Sequence, residues 1–277
     1  PPPRLHVRMP NDFTATGRDR AWSWSLDEWD QMWRPSNWMR RPPTPHSAHI
    51  LHVLAIVALA MYANVIANSV LDDEWHIPFN LGILGVALLI SRRAGTTWTT
   101  MGLRRDRLKR GLIVGGSVIG AIAIGITIAV AIPATRELFM DDRVIDNSVA
   151  WVLFQTFVRI PLATALYEEV LFRGIVFGML VRRYSPLVAG IVSSILFGFW
   201  HILPTIETLD TNPAGGLFTG IIGVVVAIIG AVGGTAIAGL VFLWIRLYAN
   251  STVAPVLAHI GTNSTAMLGA LFVVHVL

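Results

Sequence analysis

Glu168, Glu169, Arg173, His201, His259 and Asn263 each stand inside a stretch that is otherwise apolar. A carboxylate within a bilayer is costly unless it is paired, protonated or facing water, so ionisable groups in such stretches are functional candidates. Spacing divides them. Glu169 and Arg173 are four apart with the acid first, the order that pairs them on one helix face. Glu168 is turned about 100° from Glu169 and about 140° from Arg173 at about 3.6 residues per turn, so it looks at a different wall. The pattern predicts that Arg173 neutralises Glu169 and leaves Glu168 as the reactive carboxylate. The bland alternative is an ion-pair cluster between helices. Phe197 and His201 are four apart, which sets a ring beside an imidazole, and His259 and Asn263 share a face in the same way. A lone membrane histidine is most often a helix–helix hydrogen bond; two histidines, an amide and an unpaired glutamate on three late helices form a constellation. Arg159 and His275 are also embedded but carry no neighbouring pattern.

The chemistry such a set supports is activation of water. A glutamate in a low-dielectric site has a raised pKa and can take a proton from water near neutral pH. One histidine can share that proton or pass it to a leaving amine, and the second histidine with an amide can stabilise an oxyanion. Glu168, His201 and His259 are equally a zinc set with one position open for water. The sequence leaves both open, so no cofactor is certain and one zinc ion is the alternative. It contains no HExxH and no GxSxG, and its lack of cysteine excludes a disulfide framework and a thiolate nucleophile.

These residues need helices to hold them. The 277 residues are 54% hydrophobic and 14% charged, against about 25% charged in soluble domains, which is the composition of an integral membrane protein. The fold class predicted is all-α: a polytopic membrane helix bundle of seven or eight transmembrane helices behind a Trp/Arg-rich N-terminal arm. Spans are expected near Ile50–Val70, Ile77–Ile90, Leu112–Pro133, Val149–Leu166 (continuing through the acidic motif to Val181), Leu187–Leu203, Leu217–Leu247 and Val253–Leu277. Gly230, Gly233 and Gly234 would break the sixth run into a hairpin if there are eight. The pairs Gly116/Gly120 and Gly216/Gly220 read as close helix packing. Arg34, Arg40 and Arg41 precede the first span, and arginines from Arg92 to Arg110 and at Arg182 and Arg183 fill later joints. The positive-inside rule then puts the N-terminus in the cytoplasm of a bacterial-looking, multi-pass plasma-membrane protein. No cleavable signal peptide is visible, because the first apolar run begins near Ala48 behind a long polar segment. Residues 1–47 hold Trp22, Trp24, Trp29, Trp33 and Trp38, and read as an interfacial segment or as a docking arm for a partner protein. The remaining domain is 48–277. The clustered arginines set orientation and do not suggest nucleic acid.

Taken together, Glu168-Glu169-Val-Leu-Phe-Arg173, Phe197-Gly-Phe-Trp-His201 and His259-Ile-Gly-Thr-Asn263 resemble the EExxxR, FxxxH and HxxxN motifs of the CPBP family, the type II CAAX prenyl endopeptidases and bacteriocin-processing (Abi) intramembrane proteases. The resemblance covers roughly 149–277. It implies a helical peptidase acting within the bilayer on a membrane-protein or lipid-anchored peptide substrate. By position, Glu168 and His201 would activate the water and His259 and Asn263 would stabilise the transition state. Glu169, Arg173 and Phe197 would support them, and a metal at Glu168, His201 and His259 stays open. Two other classes compete: a non-catalytic subunit of a larger membrane complex docking through the arm, and an ion or proton carrier, against which no internal repeat is seen.

Overall fold

Runs of apolar residues long enough to span a bilayer leave the backbone one economical solution there, the helix, which satisfies its own N–H and C=O groups. The computed structural model describes residues 46–211, 216 and 218–276, and among these it is helical with no strand. The main helices are α1 (His46–Ser69), α2 (His76–Arg93), α3 (Leu108–Ala131), α4 (Val149–Leu180), α5 (Pro186–Trp200), α6 (Ile202–Thr211), α7 (Gly220–Ala249) and α8 (Val253–Val276). Seven helices among the described residues are long and apolar enough to cross a membrane, with α5 and α6 contributing one between them. The chain is a multi-pass membrane protein. Of the two alternatives for the sixth run, the unbroken one is found: α7 continues through Gly230, Gly233 and Gly234, which leaves seven candidate spans among the described residues. Of the Trp/Arg arm, residues 1–47, positions 1–45 lie outside the described residues, and His46 and Ser47 already belong to α1.

Apolar side chains such as Leu51, Ile124 and Ile222 point outward, as a hydrocarbon solvent allows. The glycines that pack are different from those expected. Gly116 and Gly120 meet nothing within 4 Å, nor do Gly216 and Gly220. One residue earlier on α3, a Cβ on Gly115 would stand 2.7 Å from Leu257 Cβ of α8, and on α5 a Cβ on Gly198 would stand 2.6 Å from the Val232 carbonyl of α7. These positions let the helices approach backbone to backbone. Most of the arginine clusters lie at one end of the bundle, where they tie the connections together. Arg182 Nη1 donates to the Ala94 carbonyl at 2.7 Å, and Arg246 Nη2 donates to the Thr100 carbonyl at 2.5 Å with its guanidinium 4.6 Å over the Phe177 ring.

The helix that carries the acidic motif is not a plain α-helix. Within α4, Gln155–Leu166 and Val170–Val176 are wound as π-helix, and Pro161 lies inside the first stretch. A π-helix bonds i to i+5, so the missing N–H of Pro161 orphans the Thr156 carbonyl. Ser264 of α8 fills that place, its hydroxyl donating to Thr156 O at 2.8 Å. Asn80 of α2 donates to Ala163 O at 2.8 Å and Ser193 of α5 to Phe172 O at 2.7 Å. Three neighbouring helices thus hold the wide winding in place with buried side-chain donors, which is how a broken helix is tolerated in a membrane.

Candidate active site

Glu168 and Glu169 project from the short α-helical step Tyr167–Glu169 between the two π stretches, and both are buried. Their environments differ as their spacing predicted. Glu169 Oε1 accepts from Arg173 Nη1 at 2.9 Å and from His259 Nδ1 at 2.9 Å. The Arg173 guanidinium is completely enclosed, with its carbon 3.8 Å from the Phe197 ring centre and 5.3 Å from that of Phe242. It is a paired, aromatic-sandwiched cation that braces α4 against α5, α7 and α8.

Glu168 has no cation of its own among the described residues. Its Oε1 accepts from the Trp200 indole Nε1 at 3.0 Å. Its Oε2 is buried, has no hydrogen-bond partner there, and lies 4.0 Å from His201 Nε2 and 4.0 Å from His259 Nε2. The tautomers follow from the other ring nitrogens. His201 Nδ1 is 2.8 Å from the Phe197 carbonyl and so donates to it; His259 Nδ1 donates to Glu169. Both Nε2 atoms therefore turn bare lone pairs toward Glu168 Oε2. Rings hold the imidazoles in position: Phe197 is 4.5 Å edge-on from His201, and Phe242 stacks on His259 at 5.2 Å. Three acceptors that converge without a donor call for a water, a shared proton or a cation between them.

The pair Glu168 and His201 opens onto a cavity of about 830 Å³, which also takes in Trp200, Thr262 and Asn263. Asn263 Oδ1 lies 3.2 Å from the Thr262 hydroxyl. His259 sits behind Glu168, off the cavity wall. The cavity extends to the end of the bundle opposite the arginine-rich connections, where its rim includes Asp73, Asp141 and Arg143. Asp141 bonds Arg143 through two nitrogens at 2.7 and 3.0 Å and holds its guanidinium above the usual arginine range.

The sequence motifs thus come together in space: Glu168, His201 and His259 converge, Glu169 and Arg173 pair, and Phe197 packs on His201, while Asn263 shares the cavity without touching Glu168. His275 lies near the end of α8, outside this group. The zinc set has the right donors and each histidine carries the outer hydrogen bond that metal-bound imidazoles use. Tetrahedral zinc, with bonds near 2.0–2.1 Å, sets its donors about 3.3 Å apart. At 4.0 Å the carboxylate and imidazoles would have to close by a fraction of an ångström, and no group of three such side chains among the described residues is close enough as it stands.

Residues 150–265 match the family model described as Type II CAAX prenyl endopeptidase Rce1-like. That segment of the chain is similar to the Rce1-like family. No curated protein and no solved structure gave a significant match. The matched segment carries all three motifs, and the likeness supports intramembrane endopeptidase activity in general. The residues that sequence reasoning missed come partly from outside it. Asn64 of α1 donates to the Trp200 carbonyl at 2.9 Å and so fixes the turn that carries the indole and His201. Trp200 itself had a signal: an indole N–H in a membrane needs an acceptor, and this one adjoins the histidine motif. Arg159 had one too, since an embedded arginine must pair; its Nε meets His76 Nδ1 at 3.0 Å and its Nη1 meets Gln155 Oε1 at 3.0 Å.

Proposed function

We propose that the protein is an intramembrane endopeptidase in which Glu168 and His201 activate a water against a peptide carbonyl in the bilayer-buried cavity. The observation that carries this reading is the buried, unpartnered Oε2 of Glu168, 4.0 Å from two imidazole lone pairs at the wall of the cavity. A water about 2.8 Å from two atoms 4.0 Å apart makes an angle of about 90° between them, a geometry water accepts. It would donate to Glu168 and to His201, which raises the charge on its oxygen. As that oxygen adds to the carbonyl carbon, its proton passes to Glu168 or His201 and is then delivered to the leaving amine nitrogen. The amide of Asn263, on the same cavity, is the donor we assign to the carbonyl oxygen as it becomes anionic. His259, held by Glu169, faces Glu168 Oε2 from behind and, when protonated, would place a positive charge beside it with Glu169 as counter-ion.

The outer hydrogen bonds on both histidines favour a second reading in which Glu168, His201 and His259 hold a zinc ion. Bound there, zinc would act as a Lewis acid and lower the pKa of the attacking water. The name of the matching family makes a lipid-anchored peptide the first substrate class to test. We also infer that the N-terminus is cytoplasmic, since the joints between the spans gather arginine at one end of the bundle. The deciding experiment places the wild type and Glu168→Ala in the same membrane and compares peptides released from candidate membrane substrates. The wild type should give a product that the variant does not. Identical profiles, with both proteins folded, would sink the proposal.

A further inference from the structure

The cavity is much longer than the catalytic group needs, and its far wall is built around Arg159. Arg159 lines the cavity with about a quarter of its side chain exposed. Its closest partners are neutral. His76 Nε2 is 2.8 Å from the Ala67 carbonyl and so carries the proton, which leaves His76 Nδ1 as the acceptor for Arg159 Nε and Nη2. Gln155 Oε1 takes Nη1 at 3.0 Å. Neutral acceptors fix the plane of a guanidinium without cancelling its charge. The carboxylate paired with it is Asp73, at 3.4 Å and 54% exposed, and an ion pair that wet is weak. Glu207, also on the cavity, spreads its field over both Arg159 and Arg143, and Asp141 is taken by Arg143.

A second observation points the same way. Gln155 is 2% exposed, and its amide is oriented by the bond from Arg159, so the oxygen faces the guanidinium and the nitrogen faces away. That nitrogen is a buried donor with no partner among the described residues, on a side chain that lines the cavity. A cation with its charge only partly met and an unused amide donor one helical turn away are what a carboxylate binds.

We propose that Arg159 and Gln155 form an anion subsite that takes a carboxylate of the peptide on which Glu168 acts. This rests on the peptidase reading of the cavity and adds to it the chemistry of the substrate's far end. Arg159 and Glu168 are nine residues apart on α4, at most about 13 Å at the α-helical rise and less where the winding is π. An extended chain covers that in three or four residues at about 3.3–3.6 Å each. The carboxylate therefore belongs three or four residues from the reacting carbonyl. It is either the free C-terminus of the substrate or an acidic side chain.

The test measures binding, so that it can fail separately from catalysis. The full chain carrying Glu168→Gln, in lipid nanodiscs, is titrated with three fluorescein-labelled apolar heptapeptides: one ending in a free carboxylate, its C-terminal amide, and the amide with glutamate as the last residue. The free acid should bind about 10- to 100-fold more tightly than the plain amide, the range of a hydrogen-bonded charge. Arg159→Gln should erase that difference while leaving the amide's affinity unchanged, and Arg159→Lys should restore part of it. If the third peptide binds like the free acid, any carboxylate is read; if it binds like the plain amide, the C-terminus is read. Equal binding of acid and amide, a preference that survives Arg159→Gln, or no binding of any peptide overturns the subsite. Loss of Glu168-dependent cleavage in the wild type, with the acid preference intact, would overturn only the peptidase reading.

Discussion

Two adjacent glutamates should respond in opposite ways to the same isosteric change. Glu169 and Arg173 form an ion pair at 2.9 Å with side-chain exposures of 0% and 1%. In Glu169→Gln the amide oxygen can stand where Oε1 stood and keep both bonds, to Arg173 and His259, because both go to that one atom. Only the charge is lost. Arg173 then keeps its contacts with Phe197 and Phe242, but these were present before and replace nothing. Leaving a buried charge without its partner costs about 3–5 kcal/mol. At about 2–4 °C per kcal/mol for a chain of this size class, Tm should fall by roughly 6 to 20 °C. Glu168→Gln keeps the bond from Trp200 through the same oxygen and removes a buried charge that had no cation. Its Tm should stay level or rise, while cleavage is lost.

The assay is thermal unfolding of the detergent-solubilised full chain, followed by tryptophan fluorescence, beside a cleavage assay on the same preparations. Arg173→Met should lower Tm much as Glu169→Gln does, and the double variant Glu169→Leu/Arg173→Met should recover most of the loss, because replacing a buried pair with apolar groups is often neutral. A Glu169→Gln protein within 2 °C of wild type, or a Glu168→Gln protein that loses as much as Glu169→Gln, refutes the division of labour between the two carboxylates (the ~2 °C window being well under the fall expected for a lost buried pair).

Trp200→Phe keeps a ring against Tyr167 and Phe172 but removes the donor to Glu168 Oε1; kcat should fall about 10-fold or more with KM unchanged, and an unchanged kcat would remove Trp200 from the site. Gly198→Ala sets a Cβ 2.6 Å from a backbone carbonyl of α7 and should cost about 1–3 kcal/mol, whereas Gly116→Ala, in open space on α3, should be neutral or gain up to about 1 kcal/mol of helix propensity; equal unfolding temperatures would contradict the helix approach described. Cleavage should survive prolonged treatment with a zinc chelator, given donor separations of 4.0 Å; loss of activity restored by added zinc would favour the metal-bound reading.

What the sequence made legible was whatever depends on spacing along one helix. The i,i+4 relations between Glu169 and Arg173 and between Phe197 and His201 hold in space, and the first survives even though its helix is partly π-wound, since side chains four apart stay close in either winding. Lengths of apolar runs gave the spans, and the sixth was ambiguous only because glycine can break a helix in water more readily than in lipid, where a break exposes backbone polar groups. Glycine pairs misled for a related reason: a GxxxG spacing states that a smooth face exists but not which way it points, and on α3 the face that packs is rotated from the pair to Gly111 and Gly115.

The front half of the chain was illegible as part of the site because its contributions are not side-chain patterns. Asn64 and Asn80 act on the carbonyls of Trp200 and Ala163, and a carbonyl looks the same at every position of a sequence. The need for them is nonetheless implicit in Pro161. A proline in a membrane helix orphans a carbonyl, and the winding decides which one; Ser264, 108 residues away from Thr156, supplies the donor. The α-helical step that carries Glu168 and Glu169 lies between two π stretches, so the direction of both carboxylates depends on where the winding changes. Donors from α2, α5 and α8 help fix that place. Ser264→Ala and Asn80→Leu should therefore impair Glu168 at a distance. They leave Glu168, His201 and His259 untouched, yet free the winding of α4 to shift, and their effect should appear as a lower kcat before it appears as loss of the fold.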